Sequence, residues 1–264
     1  TVNILGVVTY DTNAGDDDVT WSEPDEIRYH KDALVVPTEN LPTRKGYTCL
    51  GWSVNPAAGT PDESFAMGDT GLKLYAVWQA QEVAVNVTYH YGTEEPVTTS
   101  IDNKKFDETL TIGMGEYDLP LEAKTNYQEA AYTLSSVTVN GDSIFTLSAD
   151  NYQNPTMDET VKLNELIMQV DVYYVADNGG DGIPDQYQVT VNYAVSNGFW
   201  NDNTDTVKSE KVTLLNGDGR WDETGSGVLS AVPEVGEKAD AGYTAGGWNA
   251  APETAVIRSG DEGK

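Results

Sequence analysis

Two heptapeptides in this chain have closely similar sequences, and this repeat constrains the architecture of the chain more than any other feature. Gly46–Trp52 reads Gly-Tyr-Thr-Cys-Leu-Gly-Trp, and Gly242–Trp248 reads Gly-Tyr-Thr-Ala-Gly-Gly-Trp. A second echo follows each copy, because Gly68–Gly71 and Gly260–Gly263 both begin with Gly-Asp and end with Gly. Self-similarity of this kind is typical of arrays of related modules. Such arrays more often extend a protein or present a binding surface than catalyse a reaction. The sequence therefore predicts tandem modules.

Alternation of apolar and polar residues with a period of two runs through several stretches and predicts half-buried strands. The clearest stretch is Val83–Tyr91, and Tyr187–Val195 repeats its pattern. Leu72–Trp78 and Met168–Tyr174 alternate in the same way. The chain is therefore expected to be mostly β.

Helical periodicity is confined to two short stretches, Asp32–Asn40 and Leu119–Ala130. One short helix packed on a mostly antiparallel sheet is the expected arrangement of a β-grasp-like module. The Asn140-Gly141 pair stands between two strand-like runs and predicts a hairpin, since both residue types tolerate positive φ.

The strongly acidic composition argues against some classes of binding partner for this chain. The net charge is −28 and the acidic residues are spread along the whole chain. Such a surface repels phosphate backbones and anionic lipid, so neither nucleic acid nor a membrane surface is an expected partner. No continuous apolar run is long enough to cross a bilayer, so no membrane insertion is expected. The single cysteine, Cys49, excludes an internal disulfide framework.

A family resemblance rests on motifs of the first module. A strand at Val7–Gly15, a Pro-Thr-Arg-Lys-Gly-Tyr-Thr step at Pro42–Thr48, the Gly51-Trp52 pair and a closing strand at Leu74–Trp78 follow one another in that order. In this order they resemble the Listeria–Bacteroides repeat, also called the internalin B-repeat, over residues 5–79. The resemblance implies a small β-grasp-like module, found in tandem on bacterial surface proteins, to which no catalytic residues are assigned.

The middle of the chain carries a looser resemblance. Val85–Tyr89, Tyr132–Leu134 and Val137–Gly141 are similar to strands of mucin-binding-protein-like modules. Together the two resemblances imply a segment of a bacterial cell-surface protein.

The predicted fold is mostly β, with three small β-grasp-like (ubiquitin-like) modules in tandem forming an elongated rod. Residues 1–80 form a B-repeat-like module, residues 82–176 a mucin-binding-protein-like module, and residues 187–264 a degenerate B-repeat-like module. Only Lys264 follows the second Gly-Asp turn, whereas the first leads into Leu72–Trp78. The third module is therefore expected to lack its last strand. We expect a monomer. At that open edge three outcomes stay open: the tail from Ala255 folds into the gap, a strand from a neighbouring molecule pairs there by strand exchange, or the edge stays unpaired with mobile last residues, and the last two are favoured.

An Asp-rich stretch between the second and third modules is a candidate calcium loop. Asp177, Asp181 and Asp185 fall at positions 1, 5 and 9 of an EF-hand-like loop, and the carbonyl of Ile183 falls at position 7. Glycine at position 3 and glutamine at position 12 remove two ligands, which would weaken affinity toward the millimolar range. Two interpretations stay open, a weak calcium site and an acidic linker with a proline-fixed turn. No other cofactor is expected.

Two tryptophans are candidate ligand-binding residues. Trp200 and Trp221 stand among polar residues of the third module and have no counterpart in the first. They are interpreted either as an exposed platform for a ligand or as partly buried loop anchors. Trp52 and Trp248, which both copies of the heptapeptide share, are predicted to be core residues.

No nucleophile motif, zinc-binding helix motif or phosphate-cradling loop occurs, so the chain is not expected to be an enzyme. The resemblance implies a non-catalytic segment of an adhesin-like protein of Gram-positive type, extracellular and either attached to the cell surface or secreted. It would act as a stalk or spacer. The alternative is a binding module whose partner is a host glycan or a host surface protein.

Overall fold

The computed structural model describes residues 5–264 and shows a mostly β protein. The helical pieces in this range are three short 3-10 turns, Asp185–Tyr187, Pro252–Thr254 and Ser259–Asp261. Among the described residues no helix has the length and hydropathy needed to cross a bilayer. The predicted fold class is confirmed at the level of a mostly β chain.

Residues 5–80 form one six-stranded sheet and one two-stranded pair. The strands are β1 (Leu5–Asp11), β2 (Val19–Thr20), β3 (Arg28–His30), β4 (Leu34–Val35), β5 (Thr43–Arg44), β6 (Tyr47–Ser53), β7 (Phe65–Ala66) and β8 (Leu72–Ala80). The six-stranded sheet has the order β2-β5-β6-β8-β1-β3, and β4 pairs with β7.

Strand β8 is the central element of this sheet. It runs parallel to β1, with Val8 opposite Leu72, and antiparallel to β6, with Trp52 opposite Ala76. Its inward side chains are fully buried because both neighbouring strands and the aromatic side chains of the unit cover them. The core beneath comprises Val35, Trp52, Phe65, Met67, Leu74 and Ala76.

The middle of the chain contributes the longest strands. They are β9 (Glu82–Tyr91), β10 (Val97–Lys105), β11 (Thr109–Gly113), β12 (Leu119–Pro120), β13 (Lys124–Tyr127), β14 (Ala130–Val139), β15 (Asp142–Thr146), β16 (Asp158–Lys162) and β17 (Ile167–Ala176). One sheet has the order β10-β9-β17-β14-β13 with β15 paired to β14, and a second has the order β12-β11-β16. Alternate residues of β17 are buried, as the period-two pattern predicts.

The predicted Asn-Gly hairpin is confirmed. Asn140 and Gly141 have φ of 50° and 89°, and the flanking residues Val139 and Asp142 pair across β14 and β15. Positive φ at both central positions gives the turn a twist that matches the twist of the strands.

The strands after Gln188 are short. They are β18 (Gln188–Tyr193), β19 (Gly198–Phe199), β20 (Lys208–Thr213) and β21 (Lys238–Ala239). Strand β18 pairs antiparallel with β20, and β19 with β21. A small core of Val189, Val212, Leu214 and Ile257 packs beside the first of these pairs.

The chain divides into two compact units. The first takes in the described residues up to Asn86 together with Ser100–Leu110 and Thr160–Met168. The second takes in Val87–Thr99, Thr111–Glu159 and Gln169–Lys264. Each unit is thus assembled from segments that lie far apart in the sequence.

The two predicted helical stretches are wrong. In Asp32–Asn40 the backbone N–H groups serve a strand pair instead, since Asp32 donates to the carbonyl of Met67 and Leu34 lies opposite Ala66. In Leu119–Ala130 the chain forms β12 and β13, and the second continues into β14 through a tight turn of two residues with positive φ. Pro120 cannot donate to a helical ladder, and pairing with neighbouring strands overrides the weak helical periodicity.

Candidate functional site

The Asp-rich stretch folds around the buried carboxylate of Asp177. This side chain accepts hydrogen bonds from the backbone N–H groups of Asp181, at 3.2 Å, and Gly182, at 2.8 Å. Asp181 in turn accepts from the N–H of Ile183 at 2.9 Å. The carboxylate of Asp185 accepts from the backbone N–H and side-chain amide of Asn178. The four predicted calcium ligands thus lie in one loop that is held by its own donors.

Side chains from outside the loop bond to three of its acceptors. The ammonium group of Lys124 donates to the carbonyl of Gly180 at 2.6 Å. Gln188, at the position where an EF-hand places a bidentate glutamate, donates to Asp181 at 2.7 Å. Lys211 lies 3.6 Å from Asp185.

The donor set in this arrangement does not fit a calcium ion. Among residues 5–264 no group of three or more acidic, histidine or cysteine side chains is placed to hold a metal. Calcium takes six to eight converging oxygens, whereas Asp177 and Asp181 point to different protein donors. Calcium binding by Asp177, Asp181, Ile183 and Asp185 stays a prediction, and it requires the loop to exchange these hydrogen bonds for the ion.

Trp200 offers no face to a ligand, so its expected role as an exposed platform is corrected. The side chain is 1% exposed, and its Nε1 donates to the carbonyl of Thr206 at 2.9 Å. A buried tryptophan whose indole nitrogen is hydrogen-bonded within its own loop holds that loop against the interior of the protein. Of the two interpretations that the sequence leaves open for Trp200, the loop anchor is the one that agrees with this burial.

Trp221 is half-buried within an aromatic cluster. Its ring stacks on Tyr187 with centroids 5.6 Å apart and lies 5.4 Å from the ring of Tyr152. Both neighbours are also half-buried.

The two repeated tryptophans have different surroundings. Trp52 lies in β6, is 3% exposed and meets the ring of Tyr10 edge-on at 4.6 Å, as predicted for a core residue. Trp248 also meets a tyrosine edge-on, Tyr193 at 5.6 Å, but it is only half-buried and lies outside any strand. The prediction that Trp248 is a core residue is therefore wrong. The strand that covers Trp52 in the first unit has no counterpart over Trp248 among the described residues.

A cavity of about 510 Å³ lies beside Trp248. One side is formed by the end of β18 and the residues that follow it, Asn192–Asn197. Residues 243–249, most of which belong to the second heptapeptide, also line it, and Tyr243 is 58% exposed.

Sequence reasoning missed a buried carboxylate next to this cavity. Glu210 accepts a hydrogen bond from the hydroxyl of Tyr193 at 2.6 Å and three more from Ser230 and Ala231. Burial raises the pKa of Glu210, but these hydrogen bonds outweigh burial and leave the pKa below its ordinary value. One feature of the sequence does indicate this burial. In β20 alternate residues face the interior, and Glu210 lies on the same face as the buried Val212.

Comparison with protein-family models, with curated proteins and with solved structures gave no match for this chain. The function is therefore inferred from the geometry of the chain and from the motifs in its sequence.

Proposed function

We propose that this chain is a non-catalytic stalk or spacer of a bacterial cell-surface or secreted adhesin-like protein. In this proposal three tandem β-grasp-like modules lie end to end and carry other parts of the protein away from the cell. The proposal joins the internalin B-repeat resemblance of the first module to one packing arrangement that recurs in both compact units.

That recurring arrangement is the observation that best supports the proposal. Tyr10 and Trp52 meet edge-on at an interplanar angle of 61°, and Tyr193 and Trp248 meet at the same angle. A second tryptophan packs against the first in each unit: Trp21 lies 5.6 Å from Trp52, and Trp200 lies 5.8 Å from Trp248. Related modules share such packing contacts because they share a fold.

A second recurrence precedes the Gly-Asp turns. Phe65 pairs with Val35 in the first unit, and Ile257 pairs with Gly227 in the second. Both Phe65 and Ile257 are buried, and each stands three residues before the glycine of its turn. The likeness therefore extends beyond the heptapeptide to the turn that follows it.

Two carboxylates with lowered pKa values form hydrogen bonds within the protein, which is compatible with a structural role for these groups. Lys208 and Thr204 lower the pKa of Asp202 to about 2 by hydrogen bonding to its carboxylate. Lys162 and Tyr47 lower the pKa of Asp107 in the same way. These groups tie loops to strands within one unit.

Small-angle X-ray scattering tests the proposed arrangement. A compact chain of this length has a radius of gyration of about 18 Å, so modules placed end to end should give a clearly larger value. A value near about 18 Å would contradict the rod. A glycan array that includes mucin glycans is the companion measurement: saturable binding that Trp221→Ala abolishes would favour the alternative, a glycan-binding module.

A further inference from the structure

The first heptapeptide begins with a glycine that is covered by an aromatic ring from the middle of the chain. Phe106 lies in the turn between β10 and β11 and is buried. A methyl group on Gly46 would overlap the ring of Phe106, and Gly46 has a φ of 74°. Glycine is the residue that combines this backbone conformation with so close an approach. The start of the heptapeptide therefore fits the turn between β10 and β11.

The next residue, Tyr47, contacts the same turn through its ring and its hydroxyl. The ring packs edge-on against that of Phe106, with centroids 5.8 Å apart. The hydroxyl donates to the carboxylate of Asp107 at 2.6 Å, and Asp107 also pairs with Lys162 at 2.8 Å. The guanidinium carbon of Arg44, in β5, lies 3.8 Å from the centre of the Tyr47 ring. Tyr47 thus contacts both a strand of its own sheet and the turn that carries Phe106.

Hydrogen bonds of Gln81 connect the same segments. Gln81 stands between β8 and β9. Its N–H donates to the carbonyl of Gly46 and its carbonyl accepts from the N–H of Phe106, each at 2.9 Å. Its side-chain amide donates to the hydroxyl of Thr48 at 3.1 Å. Rotation of the chain at Gln81 would break these bonds, so they hold the junction between β8 and β9 in one conformation.

The second heptapeptide supplies a comparison. Gly242 has a φ of 93°, yet within residues 5–264 nothing beyond its chain neighbours lies within 4 Å of where a methyl group on it would stand. Tyr243 is 58% exposed. The glycine of this motif therefore adopts positive φ without a cover. The ring of Phe106 is an additional contact of the first copy, not a requirement of the turn itself.

We propose that Gly46 and Tyr47 form a docking site for the turn that carries Phe106 and Asp107, and that this contact makes the junction at Gln81 a fixed joint. By sequence the turn belongs to the predicted middle module, but by its contacts it lies in the same compact unit as β1 to β8. The joint makes β6 and β8 unfold together with the turn, as one cooperative unit. This proposal does not depend on whether the chain is a stalk or a binding module.

The Phe106→Ala variant of the full chain tests the joint. Loss of the buried ring should make the amides of β6 and β8 exchange hydrogen at least about tenfold faster, together with those of Phe106–Leu110. Phe106→Leu is the milder variant for the same measurement. Phe145→Ala is the matched control, since Phe145 is also 8% exposed but lies in the second unit. It should leave exchange in β6 and β8 unchanged. Faster exchange confined to the turn after Phe106→Ala would overturn the proposal.

Two glycine variants separate the close approach from backbone strain. Gly46→Ala and Gly242→Ala both place alanine at positive φ, but only at Gly46 does the new methyl group meet Phe106. The equilibrium constant for unfolding should rise at least about tenfold more for Gly46→Ala than for Gly242→Ala, because overpacking adds to the strain. When Phe106 is already alanine, this excess should disappear. Equal effects of the two glycine variants, or an excess that persists without the ring, would also overturn the proposal.

Discussion

Replacing Trp52 by alanine is expected to lower the free energy of unfolding of the first unit by about 3–5 kcal/mol. Trp52 is buried against Tyr10 and Trp21, and its Nε1 donates to the carbonyl of Thr38 at 3.0 Å. Truncation therefore opens a large cavity beneath β8 and leaves a carbonyl without its partner. Denaturant unfolding, followed by circular dichroism, measures the loss.

Trp248→Ala is the matched control, since it removes the same side chain from the second heptapeptide. Trp248 is half-buried and faces the cavity, so the expected loss is well under half that of Trp52→Ala. Equal losses at the two positions would contradict the difference in packing between the two copies.

Replacing Glu210 by alanine is expected to destabilise the second unit by about 1.5–3 kcal/mol, the range for a hydrogen bond to a charged group. The hydroxyl of Tyr193, the hydroxyl and N–H of Ser230, and the N–H of Ala231 would all lose their acceptor. Tyr193 is buried, so its hydroxyl carries most of the cost, whereas Ser230 and Ala231 are exposed and can donate to water instead. Glu234→Ala removes an exposed carboxylate from the same unit and should change stability by less than about 0.5 kcal/mol.

The effect of Glu210→Ala should depend on pH. The pKa of Glu210 is lowered in the folded state, so its contribution is present above the ordinary value of 4.5 and is lost as pH falls through the folded pKa. Burial, and then the hydrogen bond to Glu210, raise the pKa of Tyr193 well above its ordinary value of 10. The Tyr193 contribution is therefore present below pH 10 and is lost at higher pH. Unfolding curves at pH 7 and pH 3 should show a large difference between variant and parent at pH 7 and a smaller one at pH 3. An equal difference at both would contradict the role of the carboxylate.

Local patterns predicted the strands well. Val83–Tyr91 and Met168–Tyr174 lie in long strands because their alternation places one row of apolar side chains against a core. The Asn140-Gly141 hairpin is equally local, since the two residues adopt the positive φ that the turn requires. In these places residues close in sequence determine the structure.

The failures of sequence prediction depend on contacts between distant residues. Within Asp32–Asn40, Leu34–Val35 form a strand and no helix forms, because Ala66 and Met67 supply backbone partners from more than thirty positions away. Trp200 is buried although its sequence neighbours are polar, because its loop folds the ring inward. Glu210 is buried because Tyr193 and Ser230, on other segments, supply its donors. No local pattern carries this information.

The cavity beside Trp248 was not predictable from local patterns, because the loop that carries Trp200 and the segment Val235–Ala239 line it from elsewhere in the chain.

Native-state amide hydrogen exchange of the unaltered chain is the most direct test of the difference between the two heptapeptides. The first is paired with β8, whereas residues 244–248 of the second form no backbone hydrogen bond with the residues that the structure describes. Amides of Cys49–Ser53 should exchange slowly because β8 covers them, and those of residues 244–248 should exchange fast. Equally slow exchange in both heptapeptides of the unaltered chain would contradict the difference between the two copies.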